Sequence, residues 1–316
     1  MNTIKTENGA DSLPSVDIVI PTYNSMPYIE ECLKLLRSQD YNGITTIIII
    51  DGGSTDATLE ICPKYGCKIY ENKGMYSNGL TGARNKSLEY CDGDLYWQID
   101  SDNFIYDNST LTKLVEPFIL EDNVMISLPM ISYLSSMSKI DKWFSVYHEI
   151  MIKEMAAKGT QFRNWSVVDD ISYGITNASL IKTEMLRKVG GYDSDVRVLT
   201  RARKLGISKG VVVLNATYYH AEGGTYLRYL KKLFRRVKLF GSLSDDELRN
   251  YFVTSSHDHS QRRNLLSSQI KYLQASVHMI EKKLDFWYWG IILIFSYFLV
   301  FLAHPFIFLR AFRRFL

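Results

Sequence analysis

Leu95-Tyr96-Trp97-Gln98-Ile99-Asp100-Ser101-Asp102-Asn103 is an alternating, aromatic-rich run that stops on two carboxylates one residue apart and an amide. Residues i and i+2 of a β-strand share a face. The run therefore predicts a strand with Asp100 and Asp102 projecting together from its end. Two carboxylates so close repel and raise each other's pKa unless a cation neutralises them. A hard divalent ion such as Mg²⁺ or Mn²⁺, shared with phosphates, is the usual partner. The competing reading is a solvated Asp–Asn turn after an edge strand, since both residues favour turns.

Upstream, Val16-Asp17-Ile18-Val19-Ile20 predicts a β-branched strand ended by Pro21-Thr22-Tyr23-Asn24. Pro27 suits the first turn of a helix carrying Ile29, Cys32, Leu33 and Leu36 at helical spacing. Thr45 to Ile50 is a nearly continuous apolar run, the pattern of a strand buried on both faces in a parallel sheet. It ends in Asp51-Gly52-Gly53-Ser54-Thr55-Asp56, with Ser54 or Thr55 placed to cap a helix over Ala57 to Lys64. Lys68-Ile69-Tyr70 predicts a third strand, and a helix from Ala83 to Tyr90 follows Gly82. Strand–helix alternation of this kind makes an open α/β sheet, whose ligands bind beyond the carboxyl ends of the strands. Asn24, Asp51 and Asp102 all fall there.

Ile18 to Asn24, Asp51 to Asp56, Gly82-Ala83-Arg84-Asn85 and Asp100-Ser101-Asp102 resemble, in order and spacing, the motifs of family 2 glycosyltransferases. The resemblance covers roughly Val16 to Phe240. It implies an α/β GT-A fold with an open mixed sheet, a nucleotide-sugar donor (UDP- or GDP-linked), a divalent metal (Mg²⁺ or Mn²⁺) and inversion at the anomeric carbon. The donor-binding set it implies is Pro21, Tyr23, Asn24, Asp51, Gly53, Gly82, Arg84, Asp100 and Ser101, with Asp51 as the base- or ribose-binding carboxylate. Asp100 faces the ribose or nucleotide in this reading, and Asp102 takes the metal with help from Asp100. Gly52 departs from the pattern, because many members carry a second Asp there.

Downstream, Asn123 to Pro129 predicts a strand, and Ile140 to Met155 a helix with Trp143, Tyr147 and Ile150 on one stripe. Trp165 to Gly174 reads as an acceptor-site loop or a plain connection. Gly190-Gly191-Tyr192-Asp193-Ser194-Asp195 leads into a helix over Val196 to Leu205, closed by Gly206. Family members often show Glu-Asp where this chain has Ser194-Asp195, so the resemblance makes Asp195 the general base. Transfer with inversion needs a carboxylate opposite the leaving diphosphate to take the acceptor hydroxyl's proton. Asp195 also suits the N-cap of that helix, and the two roles are compatible. Asp169 and Asp170 are reserve candidates. A strand over Gly210 to Leu214 leads to His220; a lone His is usually structural, but the resemblance places it as a third metal ligand.

The 316 residues suffice for one large domain with appendages or two small ones. A net charge of +3 is too small to argue for nucleic acid, so local patterning matters more. Cys32, Cys62, Cys67 and Cys91 make no disulfide or zinc framework and read as reduced thiols. Residues 1–15 read as a flexible leader without a signal peptide.

The C-terminal third carries a different signal. Tyr226 to Phe240 interleaves Leu227, Leu230, Leu233, Phe234 and Val237 with six basic residues and no acid, a helix suited to an anionic leaflet. A second helix is expected over Arg262 to Lys283. Phe286 to Phe308 opens on the aromatic belt Trp287-Tyr288-Trp289 and runs uncharged to Ala303. Its length matches a bilayer core of about 30 Å, although His304-Pro305 could turn it into a re-entrant anchor.

These readings divide the chain into a leader (1–15), a GT-A domain (16–224), juxtamembrane helices (225–284), an anchor (285–309) and a basic tail (310–316). The expected protein is a membrane-anchored, metal-dependent, inverting glycosyltransferase at the cytoplasmic face of the cell membrane. Its acceptor would be a polyprenyl (dolichyl) phosphate or a lipid-linked oligosaccharide, with homo-oligomerisation left open. One alternative is a sugar nucleotidyltransferase, which would want a Gly-rich basic phosphate loop where Pro21-Thr22-Tyr23-Asn24 stands. The other is a non-catalytic membrane adaptor, which would have no use for Asp51, Asp100, Asp102 and Asp195 together.

Overall fold

The computed structural model describes residues 13–72, 82–169, 177–192, 195–207, 209–221, 224–231 and 265–302. The chain divides into two compact units, one of Met1–Ser132 with Met151–His220, the other of Tyr133–Ile150 with Ala221–Leu316. The first part of the helix over Lys139–Ala157 belongs to the second unit. There Trp143 packs edge-on against Tyr272, ring centres 5.0 Å apart, and flat against Tyr147 at 5.4 Å.

The first unit is built on a mixed ten-stranded sheet of order β3-β2-β1-β4-β9-β6-β10-β8-β7, with β5 paired to β10. Strands β1 (Val16–Thr22), β2 (Thr45–Asp51), β3 (Lys68–Glu71) and β4 (Leu95–Gln98) are parallel. Ile47 to Ile50 are wholly buried, as a strand flanked by two others and covered on both faces must be. β1 runs two residues past its expected end. Pro21 is tolerated because β4 pairs only with Val16 to Val19, so no neighbour on that side needs the missing N–H.

Helix α1 (Tyr28–Arg37) buries Ile29, Cys32, Leu33 and Leu36, the four residues at helical spacing. The expected Ala57–Lys64 helix is instead a single turn, α2 (Thr58–Ile61), followed by a 3₁₀ turn over Cys62–Tyr65. Ser54 and Thr55 do not cap it: their hydroxyls are engaged by Asp51 and Asn24. Helix α3 covers 82–87, and α4 spans Thr110–Leu120 between β5 (Asn103–Phe104) and β6 (Ile126–Ser132). After α5 (Lys139–Ala157) come β7 (Thr160–Phe162), β8 (Trp165–Val168), β9 (Leu180–Lys182), α6 (Thr183–Lys188) and α7 (Asp195–Lys204).

β10 (Gly210–His220) is longer than its apolar stretch suggests. Its pairing with β6 jumps from Val213 opposite Pro129 to Thr217 opposite Met130. The residues between bulge out, break the alternation in sequence, and let the strand continue to His220.

The second unit contains α8 (226–231), α9 (Leu265–Glu281) and α10 (Trp289–Leu302) beside the first part of α5. A Cβ on Gly290 would stand 1.9 Å from Ser276 Oγ, so α10 meets α9 closely here and a larger residue would have to displace that hydroxyl. The described part of α10 has 14 residues, roughly 21 Å of helix, within the 23 expected for a span. Residues 286–288 form a turn before it, and Phe286 is buried. Among the described residues no helix is long and apolar enough to cross a membrane. Residues 303–308 of the expected anchor, 232–240 of the basic helix and the 310–316 tail lie outside the described residues.

Candidate functional site

The end of β4 turns sharply. Asp100 N–H donates to Asn103 Oδ1 at 2.9 Å, and Asn103 N–H donates back to the Asp100 carbonyl at 2.9 Å. That turn delivers β5 to β10, where Asn103 pairs with His220 and Phe104 with Tyr219. Pairing of strands distant in sequence thus brings His220 beside Asp102: Nε2 lies 3.2 Å from Asp102 Oδ1. Asp100, Asp102 and His220 each offer a ligand atom within 4.8 Å of the others, all three half-buried. Two carboxylates and an imidazole are a donor set that suits Mn²⁺, and with more water Mg²⁺. The residues present therefore fit the cation that the sequence implied.

Two groups hold this cluster. Arg84, on α3, donates through Nη2 to Asp100 Oδ1 at 2.7 Å, and its guanidinium lies over the Tyr192 ring 5.4 Å from the centre. Gln98, wholly buried, completes the cradle: with its amide oxygen toward Arg84 it accepts at 3.2 and 3.3 Å, while its nitrogen donates to Tyr192 Oη at 2.8 Å. On the other side the Asn177 amide meets His220 Nδ1 at 3.4 Å. Asn177 precedes Ala178, which sits in the left-handed region (φ +62) with its carbonyl bound by the Trp97 indole N–H at 2.9 Å. Behind the cluster, Cys32 Sγ reaches the Asp100 carbonyl at 3.8 Å, and burial with the two aspartates pushes its thiol upward.

Asp51 stands apart from these residues in what it does. It is 1% exposed, and protein donors take both of its oxygens. Oδ1 accepts from Thr22 Oγ1 at 2.8 Å and Ser54 Oγ at 2.5 Å; Oδ2 accepts from the Gly53 and Ser54 N–H groups at 2.8 Å each. Asp51, expected to face the base or ribose, shapes the β2–α2 loop from within. Asn24, exposed and at φ +47, ties that loop to its neighbour: Oδ1 accepts from Thr55 N–H at 2.7 Å, and its own N–H donates to Ser54 Oγ at 2.9 Å. Pro21 is buried, Tyr23, Gly82 and Ser101 are half-buried, and Gly53 is exposed around these turns. Arg84, expected at the donor, is 6% exposed and turned to Asp100.

Asp195 opens α7, and its side chain lies outside the described residues, as does Asp170; Asp169 is exposed. The start of α7 is nevertheless tethered to the cluster. Tyr192 touches Arg84, and three residues of chain reach at most about 11 Å. Asn85 Oδ1 accepts from Tyr192 N–H at 2.9 Å, and a Cβ on Gly191 (φ +87) would come within 2.2 Å of that oxygen. The double-glycine turn is therefore a close approach to α3, and Asn85, Gln98, Asn177 and Tyr192 are supports that motif reading passed over.

The sequence profile described as Glycosyl transferase family 2 matches residues 17–190, more than half of the chain and nearly all of the sheet. The chain belongs to glycosyl transferase family 2. It is 34% identical over 111 residues to an N-acetylglucosaminyltransferase of Azorhizobium caulinodans, covering 32% of this chain and 26% of that protein. The match thus spans about a quarter of that relative's length. A solved mannosyltransferase of Pyrobaculum calidifontis, in complex with GDP-Man and Mn²⁺, superposes with a TM-score of 0.55 at 17% identity, covering 93% of this chain and 75% of that one. S. aureus TarS 1-349, in complex with UDP-GlcNAc, superposes at 0.51 with 19% identity, covering 84% and 81%. These likenesses establish the α/β GT-A-type fold.

Proposed function

We propose that this family 2 member transfers a sugar, with inversion, from a nucleotide-diphosphate sugar to an acceptor carried by a membrane lipid, using a divalent cation at Asp102, Asp100 and His220. The observation that carries the reading is the convergence of those three side chains within 4.8 Å. UDP-GlcNAc is the first donor to test, because the TarS complex holds it and the Azorhizobium caulinodans relative is named an N-acetylglucosaminyltransferase. GDP-sugars come second, after the mannosyltransferase.

A bound cation supplies charge stabilisation to the departing diphosphate. The chain's own residues do the rest. Arg84 holds Asp100 in place, and Asn177 holds His220. Asp195 takes the proton of an acceptor hydroxyl. A lipid phosphate, already ionised, would need no such base, so an Asp195 variant separates the two acceptor types. Exposed apolar stripes in the second unit and the basic run over 226–240 support a lipid-borne acceptor at the cytoplasmic face.

The test incubates the purified full chain with UDP-GlcNAc, UDP-glucose or GDP-mannose and measures nucleotide diphosphate release. Release that needs Mn²⁺ or Mg²⁺, is abolished by EDTA and is lost in Asp102→Ala is expected. Undiminished release in Asp102→Ala would overturn the site. Membranes given radiolabelled donors should yield label in the lipid extract, and its absence with every donor would count against the lipid acceptor.

A further inference from the structure

Three helices of the second unit leave large apolar side chains in solvent, and on two of them at helical spacing. On α9, Leu273, Val277 and Ile280 are 49%, 54% and 51% exposed. On α10, Ile291, Phe295 and Phe298 are 42%, 63% and 55% exposed. Spacings of four and three residues put each set on one helical face. On α9 that face flanks the buried one formed by Tyr272, Ala275, Ser276 and Met279, while Gln274 and Glu281 lie exposed on the far side. α8 adds Leu227 at 63% exposure, and Tyr226 Oη beside it is bonded to Ser296 Oγ on α10 at 2.6 Å. Among the described residues of the other unit, the large exposed apolar residues are scattered along the sequence and form no helical stripe.

Charge selects the occupant. Lys282 and Lys283 are exposed directly after α9 between exposed Glu281 and Asp285, the latter paired with Lys139 at 2.8 Å, while Arg228 and Lys231 are exposed on α8 around Leu227 with no acid among residues 224–231. In sequence, the basic run continues through Lys232, Arg235, Arg236 and Lys238 with no acid from 226 to 240. A surface of this sign repels a second copy of itself and attracts anionic headgroups. Trp287, Tyr288 and Trp289, half-buried at the turn into α10, are the aromatic types that settle at the headgroup level.

We infer that α9 lies in the plane of an anionic bilayer surface, with Leu273, Val277 and Ile280 entering the acyl boundary and the lysines after it on the headgroups. This gives the lipid-acceptor reading above a docking surface and a mode: a helix resting on the leaflet, with Leu227 and the α10 stripe as further apolar contacts.

The test is cosedimentation of the full chain with vesicles of phosphatidylcholine alone or with phosphatidylglycerol. Binding to the anionic vesicles, weakened by high salt, is expected. Val277→Glu, Ile280→Glu and the pair together should cut the partition coefficient about ten-fold or more, with the far-UV spectrum and the Asp102-dependent donor hydrolysis unchanged. Full binding by the pair, or no vesicle binding by the parent chain, overturns the inference while hydrolysis still reports on the transferase reading. A parent chain that elutes as a dimer, becomes a monomer in Val277→Glu and ignores vesicles would assign the face to self-association instead.

Discussion

Arg84 and Asp100 form an ion pair at 2.7 Å with side chains only 7% and 14% exposed. The pair links α3 to the end of β4 and orients the carboxylate that begins the cation cluster. Removing one partner of a buried pair strands the other charge, typically at about 3 to 5 kcal/mol. Arg84→Ala should therefore lower the urea midpoint markedly. The Arg84→Ala, Asp100→Asn double variant should be less destabilised than the two singles predict together, because no charge is then left unpaired. Additive losses would show that the pair is not coupled.

Asn177 reaches His220 Nδ1 and leaves Nε2 facing Asp102. Residues that orient a ligating imidazole typically contribute 10- to 100-fold in metal affinity. Asn177→Ala should weaken Mn²⁺ binding by about ten-fold with little change in thermal midpoint. Mn²⁺ titration followed by electron paramagnetic resonance reads this directly. Equal affinity in the variant would leave Asn177 as a spacer.

Asp51 supplies its oxygens to four donors on Thr22, Gly53 and Ser54. An asparagine keeps one acceptor oxygen and turns an amide toward donors that cannot use it. Asp51→Asn should cost on the order of 3 kcal/mol and raise the donor KM, because the loop it shapes is tied to Asn24. Denaturant unfolding and donor titration test the two halves separately. A variant that binds donor poorly at full stability would instead put Asp51 in contact with the donor.

Asp107 receives Lys113 Nζ at 2.5 Å and the N–H and hydroxyl of Ser109 at 3.0 and 2.7 Å. Chiefly through Lys113, its carboxyl is held below the ordinary value of 3.8. The unfolded chain takes up the proton first, so the stabilisation is complete above the ordinary value and is lost as pH falls through the lower folded one. Asp107→Asn should be less stable than the parent at pH 7, and the gap should close below about pH 4. Urea midpoints across that range decide it: a gap independent of pH would assign the loss to geometry alone.

Most of the sheet's parallel half was legible from the residues. Continuous apolar runs such as Ile47 to Ile50 can only be satisfied between two strands, and the helical spacing of Ile29 to Leu36 names its own buried face. Boundaries were less legible where a neighbour decides them. β1 passes through Pro21 because β4 stops short, and β10 outlasts its apolar pattern through a bulge. The anchor expected over 286–308 meets a turn at 286–288, and its helix begins only at Trp289.

At the site, the sequence alone placed Asp100 and Asp102 together just past a strand; β4 in fact stops at Gln98, and a turn closed by Asn103, rather than strand period, holds the two carboxylates. It also placed Asn24 in the loop after β1, whereas Asp51, expected beyond the sheet, is the last residue of β2. Only the tertiary structure decided what each side chain meets. His220 reaches Asp102 because β5 pairs with β10, Arg84 turns inward to Asp100 rather than outward, and the oxygens of Asp51 are taken by its own loop. Those outcomes depend on which distant surfaces pack and which buried polar groups must find partners, and chain periodicity carries no record of either.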